Sequence, residues 1–180
     1  MFTQPAQQQL LKIFTFSAGA ETFGLPLHLL HEVIYPETIT RIPTAPDFMA
    51  GVVKYGAEPV PVLDVSKKLY LATPSMRIHH PAVVVNVVVE GKETQLALLV
   101  ERFGKIVQYR PAETVKRKNI PFRPSAAPSA ARVGHPGRNS EVYTQSREAI
   151  RKFVHEELYR AGVRIRLLDD SLLFSLDELR

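Results

Sequence analysis

Two histidines, His28 and His31, lie three residues apart, and Glu32 follows them directly. Zinc proteases place a glutamate between the two histidines of a helix, so that both imidazoles and the general base face one metal ion. Here the glutamate comes after the second histidine, and no third ligand segment is evident. The adjacent residues His79 and His80 would point to opposite faces of a strand. The sequence therefore predicts no metal site and no cofactor.

Two carboxylates, Glu32 and Asp64, lie among apolar residues. Such a pair could serve as general acid and base, although isolated acids at strand ends more commonly cap a turn or brace a loop. The chain has no cysteine, which excludes thiolate zinc sites and cysteine nucleophiles. It also lacks glycine-rich phosphate loops and the Gly-x-Ser-x-Gly elbow of hydrolases. We therefore expect a protein that is not an enzyme.

The composition is that of an ordinary globular chain, with 180 residues of which 45% are hydrophobic and 23% charged. The most apolar run, 81–89, is far shorter than the roughly 20 residues of a membrane-spanning helix. The first basic residue is Lys12, so no basic region precedes an apolar stretch as it does in a secretory signal. These features predict a cytoplasmic protein without membrane insertion.

Basic residues are concentrated in the tract 116–138, in a chain whose net charge is +5. A tract of this kind can bind phosphates, so a basic β-barrel that binds nucleic acid through 116–138 is the alternative function. Single-strand binding sites usually combine positive charge with several stacking rings, whereas Phe122 is the only aromatic residue in this tract. Nucleic acid is therefore not the expected partner.

Short apolar segments separated by turn residues dominate the first 110 residues. Residues 13–16 and 22–25 flank a turn containing Gly19, and residues 83–89 and 94–100 form the clearest hairpin. This succession of short strands is typical of an all-β barrel or sandwich. The sequence therefore predicts a mainly β protein.

Two segments qualify this pattern. Residues 26–32 suit one or two helical turns that begin at a first-turn proline. Pro59 and Pro61 lie within a strand, and since proline cannot donate to a ladder, they predict an edge position for that strand.

The last 70 residues differ in composition. Residues 111–140 are rich in proline, alanine, serine and basic residues, which predicts a flexible insertion. Helical spacing over 141–161 predicts an amphipathic helix, and residues 163–168 and 172–176 predict a closing hairpin. The apolar face of the helix would be formed by Ile150, Phe153, Val154 and Leu158.

The ordered set of motifs resembles the CheW family of chemotaxis coupling proteins. The family has an aromatic hairpin, a short helix that ends in Glu-Val, a Pro-x-x-Pro-x-Phe-x-x-Gly-Val stretch and a Val-Pro-Val-x-Asp strand. In this sequence these match 13–26, 31–34, 43–52 and 60–64, and further matches lie at 98–101 and 172–179. No single motif is specific, but their order and spacing are.

The resemblance implies two small SH3-like β-barrels, formed by 10–110 and 162–180, with short helices. It also implies a non-catalytic adaptor or scaffold that joins the cytoplasmic tips of chemoreceptors to the regulatory domain of a CheA-like histidine kinase. Leu30 and Val33 would line an apolar groove for the receptor. The partner-binding residues that the resemblance implies are Leu30, Glu32, Val33, Gly51, Val53, Tyr55, Gly56 and Asp64.

Two features depart from the family pattern. The family usually has Arg-Gly where this chain has Gly56-Ala57, and the segment 111–161 is longer than usual. An arginine at this loop could hold Glu32 bidentately, and Lys54 is the nearest base. We therefore expect Glu32 to lack its brace and Gly56→Arg to restore it.

Overall fold

A computed structural model of the chain describes residues 9–71, 79–89, 91–116 and 150–175. These ranges contain two β-sheets and a few short helical turns. The strands are β1 (Leu11–Ala18), β2 (Glu21–Pro26), β3 (Leu30–Ile34), β4 (Met49–Tyr55), β5 (Glu58–Asp64), β6 (Ala82–Val89), β7 (Lys92–Leu99), β8 (Arg102–Tyr109), β9 (Thr114–Lys116), β10 (Val154–Arg160) and β11 (Val163–Leu168).

In each sheet, two antiparallel groups of strands are joined by one parallel pairing. The six-stranded sheet has the order β8-β1-β2-β11-β10-β9, and the five-stranded sheet has the order β3-β6-β7-β5-β4. The parallel neighbours are β2 with β11 and β5 with β7. The predicted mainly β architecture is confirmed, as are the hairpins β1–β2 and β6–β7.

The five-stranded sheet curls until its two edge strands, β3 and β4, are linked. The chain that leaves β3 crosses to β4, where the backbone N–H of Thr40 donates to the carbonyl of Val52 (2.9 Å) and the N–H of Val52 donates back (2.8 Å). We call this unit the second barrel. Its interior core consists of Val53, Val60, Val62, Ala82, Val84, Ala97 and Leu99.

The six-stranded sheet curls in the same way, and we call it the first barrel. The guanidinium of Arg160 on β10 donates to the Glu113 carboxylate (2.8 Å) and to the carbonyl of Gln108 on β8 (3.3 Å). These contacts link β8, at one edge of the sheet, to β10, which lies next to the other edge. The interior core of the first barrel consists of Ile13, Tyr109, Leu158, Ile165 and Leu167.

A charged group lies across the parallel pairing of the first barrel. Arg166 on β11 is 2% exposed, and its Nε lies 3.2 Å from Oε1 of Glu157 on β10. Arg166 also forms an ion pair with Glu21 on β2. Because charges this buried require partners, the group ties the N-terminal strand β2 to the C-terminal strands.

The largest apolar cluster lies between the barrels, and we call it the inter-barrel cluster. Strand alternation produces it, because each buried strand sends one side chain inward and the next toward the other barrel. On β1, Ile13 faces the first-barrel core and Phe14 the inter-barrel cluster; on β6, Val84 faces the second-barrel core and Val85 the cluster. The two barrels are therefore packed on each other through apolar side chains.

The predicted helix over 141–161 is wrong for residues 154–160, which form β10. Apolar residues at 150, 153, 154 and 158 fit a helical period, but β10 pairs with both β9 and β11. A register shift between Val154 and Glu156 lets Val154 reach the inter-barrel cluster while Leu158 enters the first-barrel core. Long-range pairing thus overrides the local pattern, and a helical turn remains at 150–153.

The predicted strand over 172–176 is also wrong for its described residues. The chain forms a short helix, Asp170–Leu173, because the Asp169 carboxylate accepts a hydrogen bond from the N–H of Leu172 (3.2 Å) and caps the turn. Leu173 and Phe174 pack into the inter-barrel cluster. Residues 176–180 lie outside the described ranges.

Two smaller expectations are corrected as well. Residues 26–32 contain only a 3₁₀ turn, Leu27–Leu29, and β3 begins at Leu30. The strand with Pro59 and Pro61 is internal, since β5 lies between β4 and β7. Its pairing with β7 begins at Val62, so the prolines occupy the half of β5 that has one neighbour. The prediction that β5 is an edge strand is therefore wrong, but each proline still lies where only one neighbouring strand is paired.

The flexible insertion predicted over 111–140 is wrong for its first residues. Pro111–Glu113 forms a 3₁₀ turn, and Thr114–Lys116 forms β9, which pairs with β10. Residues 117–149 lie outside the described ranges, so the flexibility there and nearly all of the basic tract 116–138 stay predictions. The proposed boundaries of the insertion are likewise a prediction.

Candidate partner-docking site

All eight predicted site residues lie on the second barrel, in three places. Leu30, Glu32 and Val33 are on β3. Gly51, Val53, Tyr55 and Gly56 are on β4 and in the turn that follows it, and Asp64 ends β5. Since β3 and β4 are the two edges of one sheet, closure of the barrel brings the first two groups together.

Glu32 and Tyr55 meet at this closure. The phenol of Tyr55 donates a hydrogen bond to Oε2 of Glu32. The Tyr55 ring also meets the His31 ring edge-on, with centroids 6.0 Å apart. Glu32 and His31 are exposed and Tyr55 is half-buried. The expectation that Glu32 lacks a brace is therefore wrong, because a neutral phenol provides one.

The contact also affects the ionisation of the phenol. The hydrogen bond to Glu32 raises the pKa of Tyr55 above its ordinary value, with smaller contributions from burial and from the negative charge of Glu32. The phenol consequently stays protonated at neutral pH. It can act as a hydrogen-bond donor throughout the physiological range.

Gly51 is required by the backbone that crosses it. Its φ is 143°, and a Cβ at this position would collide with the carbonyl oxygen of Thr40. The Thr40–Val52 hydrogen bonds depend on this close approach. Gly51 therefore shapes the site through backbone packing and presents no side chain to a partner.

The apolar site residues differ in exposure. Val53 is 6% exposed and belongs to the second-barrel core, so it holds β4 in place. Leu30 and Val33 are half-buried and pack against the inter-barrel cluster at its rim. The structure therefore leaves part of each β3 side chain accessible at the boundary between the barrels.

Gly56 is the first residue of the two-residue turn between β4 and β5. The residues that flank the turn, Tyr55 and Glu58, are paired. Its φ is 63°, and open space surrounds the position of a Cβ. Glycine at the first turn residue suits tight hairpins of this kind. Lys54 lies on the opposite face of β4 from Tyr55, as strand alternation requires.

Asp64 lies apart from Glu32 and Tyr55, two positions beyond Val62, the β5 residue that pairs with Gly51. Its carboxylate accepts a hydrogen bond from the N–H of Lys67 (3.1 Å) and caps the helical turn Val65–Lys68. It lies six residue steps along β5 from Glu58, the partner of Tyr55, which is roughly 20 Å of strand. Glu32 and Asp64 therefore do not form the acid–base pair that the sequence left open, and the capping interpretation of Asp64 is confirmed.

Burial governs the chemistry of Asp64. The side chain is 4% exposed and lines a cavity of about 570 Å³ together with the chain segment 37–50. Desolvation raises the pKa of the Asp64 carboxyl, and hydrogen bonds from the backbone of Lys67 and Ser66 oppose the rise only in part.

Sequence reasoning missed a buried lysine beside this site. Lys68 is 1% exposed, and its Nζ lies 4.2 Å from the centroid of the Phe48 ring, a cation–π arrangement. Burial, with a smaller effect of the positive charge of Lys152, lowers the pKa of Lys68 to about 8. The only sequence feature that could have indicated this contact is Phe48, the aromatic residue of the Pro-x-x-Pro-x-Phe motif.

A second unpredicted feature is an apolar groove of about 550 Å³ beside the 42–46 loop. It is lined by Leu63 and Leu96, which belong to the inter-barrel cluster, and by Ile42 and Pro43. Thr44, at the tip of this loop, has a left-handed backbone with φ of 64°.

Among the described residues, no three His, Asp or Glu side chains come together to hold a metal ion. None of the helices in the described part of the chain is long and apolar enough to cross a membrane.

The chain is similar to known proteins in sequence and in fold. The family model described as CheW-like domain matches residues 12–132. The protein named Chemotaxis protein CheW of Treponema pallidum (strain Nichols) is 19% identical over 96 residues, which are 53% of this chain and 56% of that protein. The chain thus spans about half the length of this relative.

A solved structure shows the same fold. The scaffolding protein CheW from Thermoanaerobacter tengcongensis superposes with a TM-score of 0.66 at 18% identity, over 92% of this chain and 93% of that chain. This likeness confirms the predicted pair of small SH3-like barrels. Because the family model also matches two thirds of the sequence, the chain belongs to the family of CheW-like domains.

Proposed function

We propose that this protein is a non-catalytic adaptor of a bacterial chemosensory array, which couples the cytoplasmic tips of chemoreceptors to the regulatory domain of a CheA-type histidine kinase. The observation that carries this proposal is the match of the CheW-like family model over 12–132 on a double-barrel fold. An adaptor needs surfaces that bind two partners at once, and the second barrel offers two candidate surfaces.

The receptor side is proposed at the rim of the inter-barrel cluster. Leu30 and Val33 are half-buried there and pack against the same cluster as the partly buried Leu27 and Phe48. Helices that dock into grooves insert apolar anchors between side chains of this kind. The exposed parts of the Leu30 and Val33 side chains would contact the receptor and provide most of the affinity for it.

The kinase side is proposed at the closure of the second barrel. Glu32 and Tyr55 form its polar centre, and the Gly56 turn borders it without adding a side chain. Gly51 and Val53 would support this surface from below, through the Thr40 contact and the interior core, whereas Asp64 caps the turn at the other end of β5.

Binding measurements with both partners test the proposal. We expect the purified chain to bind a receptor-tip fragment and a CheA regulatory domain, separately and in one ternary complex, in titration calorimetry and gel filtration. Leu30→Glu should abolish receptor binding and retain kinase binding. Val88→Glu, at a valine of the same sheet that is 66% exposed, is the matched control and should change neither.

Circular dichroism and the melting temperature of each variant separate binding from folding. A chain that binds neither partner would overturn the proposed function. Loss of receptor binding together with loss of the folded spectrum in Leu30→Glu would assign Leu30 to the core instead of the docking surface.

A further inference from the structure

Glu32 is held in place without being neutralised. Its described hydrogen-bond partner is the uncharged phenol of Tyr55, and among the described residues none forms an ion pair with it. A phenol orients one carboxylate oxygen but leaves the negative charge in place. An arginine brace would orient the carboxylate and cancel its charge together.

Strand pairing and alternation decide which neighbouring side chains share the face of this contact. Tyr55 pairs with Glu58 across the hairpin, so these two side chains share one face of the sheet. Lys54 alternates to the other face. The surface at the closure therefore combines Glu32 and Glu58 with the rings of Tyr55 and His31, and the turn that borders it projects no long side chain over them.

Carboxylates beside an aromatic ring are the groups that recognise a guanidinium or an ammonium, through charge-assisted hydrogen bonds and cation–π contact. Tyr55 serves both purposes here, since it orients the carboxylate and supplies the ring. Its half-buried position in the barrel wall limits its motion and so reduces the entropy that binding would cost.

We propose that Tyr55 is the positioning residue of this docking surface and that it presents an uncompensated Glu32 to a basic side chain of the kinase regulatory domain. This inference rests on the proposed adaptor function. It adds the charge of the partner group, which the fold and the family do not specify, and it assigns Tyr55 the role that an arginine would otherwise take.

A double-mutant cycle on Glu32 and Tyr55 tests the inference. Kinase-domain affinity is measured by titration calorimetry for the wild type, Glu32→Gln, Tyr55→Phe and the double variant, at about 0.05 M and 0.5 M salt. We expect Glu32→Gln to weaken binding roughly tenfold at low salt and to flatten its salt dependence. Tyr55→Phe should weaken binding less and keep the salt dependence, and the double variant should match Glu32→Gln alone.

Two controls separate positioning from general damage. Tyr35→Phe, at a tyrosine that is 69% exposed, should leave affinity unchanged, and receptor-tip binding should be unchanged in all variants. The ultraviolet absorbance of phenolate reports the internal contact directly, because Glu32→Gln should lower the pKa of Tyr55 while the wild type keeps it raised.

The outcomes are distinct. A wild type that binds receptor and kinase, with Glu32→Gln leaving affinity and salt dependence unchanged, would overturn this inference and leave the adaptor function standing. Fully additive losses in the double variant would show that Tyr55 acts on the partner independently of Glu32, against a positioning role. A wild type that binds neither partner would overturn both.

Discussion

The carbonyl oxygen of Thr40 occupies the space that a Cβ on residue 51 would need, so only glycine fits at position 51, where the segment between β3 and β4 crosses it. We expect Gly51→Ala to destabilise the protein by about 4 kcal/mol, in the range of severe single substitutions, because a backbone atom must move and two hydrogen bonds across Thr40 and Val52 weaken. Denaturant unfolding measures the loss.

Gly56→Ala is the matched control for that experiment. Gly56 also has positive φ, but open space surrounds its Cβ position, so the cost should be about 1–2 kcal/mol. Equal losses for the two variants would show that left-handed backbone alone explains the cost at Gly51.

Gly56→Arg should fail to strengthen kinase binding. The φ of 63° opposes a side chain with a Cβ at this position, and Tyr55 already holds Glu32. Gly56→Asn, which tolerates left-handed backbone better, controls for the strain. Calorimetric titration of the kinase domain would contradict this prediction if Gly56→Arg bound more tightly than both Gly56→Asn and the wild type.

The buried carboxyl of Asp64 should make stability depend on acid pH. Its pKa is raised by burial in the folded chain, so its contribution is fully present below the unfolded value of about 3.9 and is lost as the pH rises through the folded pKa. Asp64→Asn cannot ionise and keeps an oxygen that can accept from Lys67. We expect this variant to gain stability relative to the wild type as pH increases above about 4.

Asp64→Ala distinguishes the cap from the charge. It removes the acceptor for the N–H of Lys67 and should cost about 1 kcal/mol at every pH. Unfolding curves for the wild type and Asp64→Asn that run parallel across the acid range would rule out the desolvation effect.

Lys68 should produce the opposite dependence at alkaline pH. Burial lowers its pKa to about 8, below the unfolded value of about 10.4, so the unfolded chain binds more protons between these values. Stability therefore rises with pH across that window. We expect Lys68→Met to remove this rise in denaturant unfolding, whereas Lys67→Met, at an exposed neighbour, should retain it.

Local pattern predicted the elements whose partners are close in sequence. The β6–β7 hairpin follows from a run of valines, which favour strands, and from a glycine turn at Gly91, where φ is 76°. Local pattern did not predict the strand at residues 154–160. The spacing of Val154 and Leu158 fits a helix as well as a strand, and only pairing with β9 and β11 makes this segment a strand.

The sequence predicted which residues form the candidate site but not how they are arranged in space. Family resemblance placed Glu32 and Tyr55 among the site residues, yet no spacing rule connects two edge strands that meet only when the sheet closes. The same resemblance grouped Asp64 with them, although β5 carries it to the other end of the barrel.

The parallel pairing of β2 with β11 has a consequence for biosynthesis. It joins residue 22 to residue 165, whereas all strands of the second barrel lie between residues 30 and 99. During translation the second barrel can form as soon as β7 leaves the ribosome, while the first barrel must wait for almost the whole chain. Until then β2 lacks its β11 neighbour, while the aromatic side chains of β1 and β2 (Phe14, Phe16 and Phe23) can already pack against the finished second barrel.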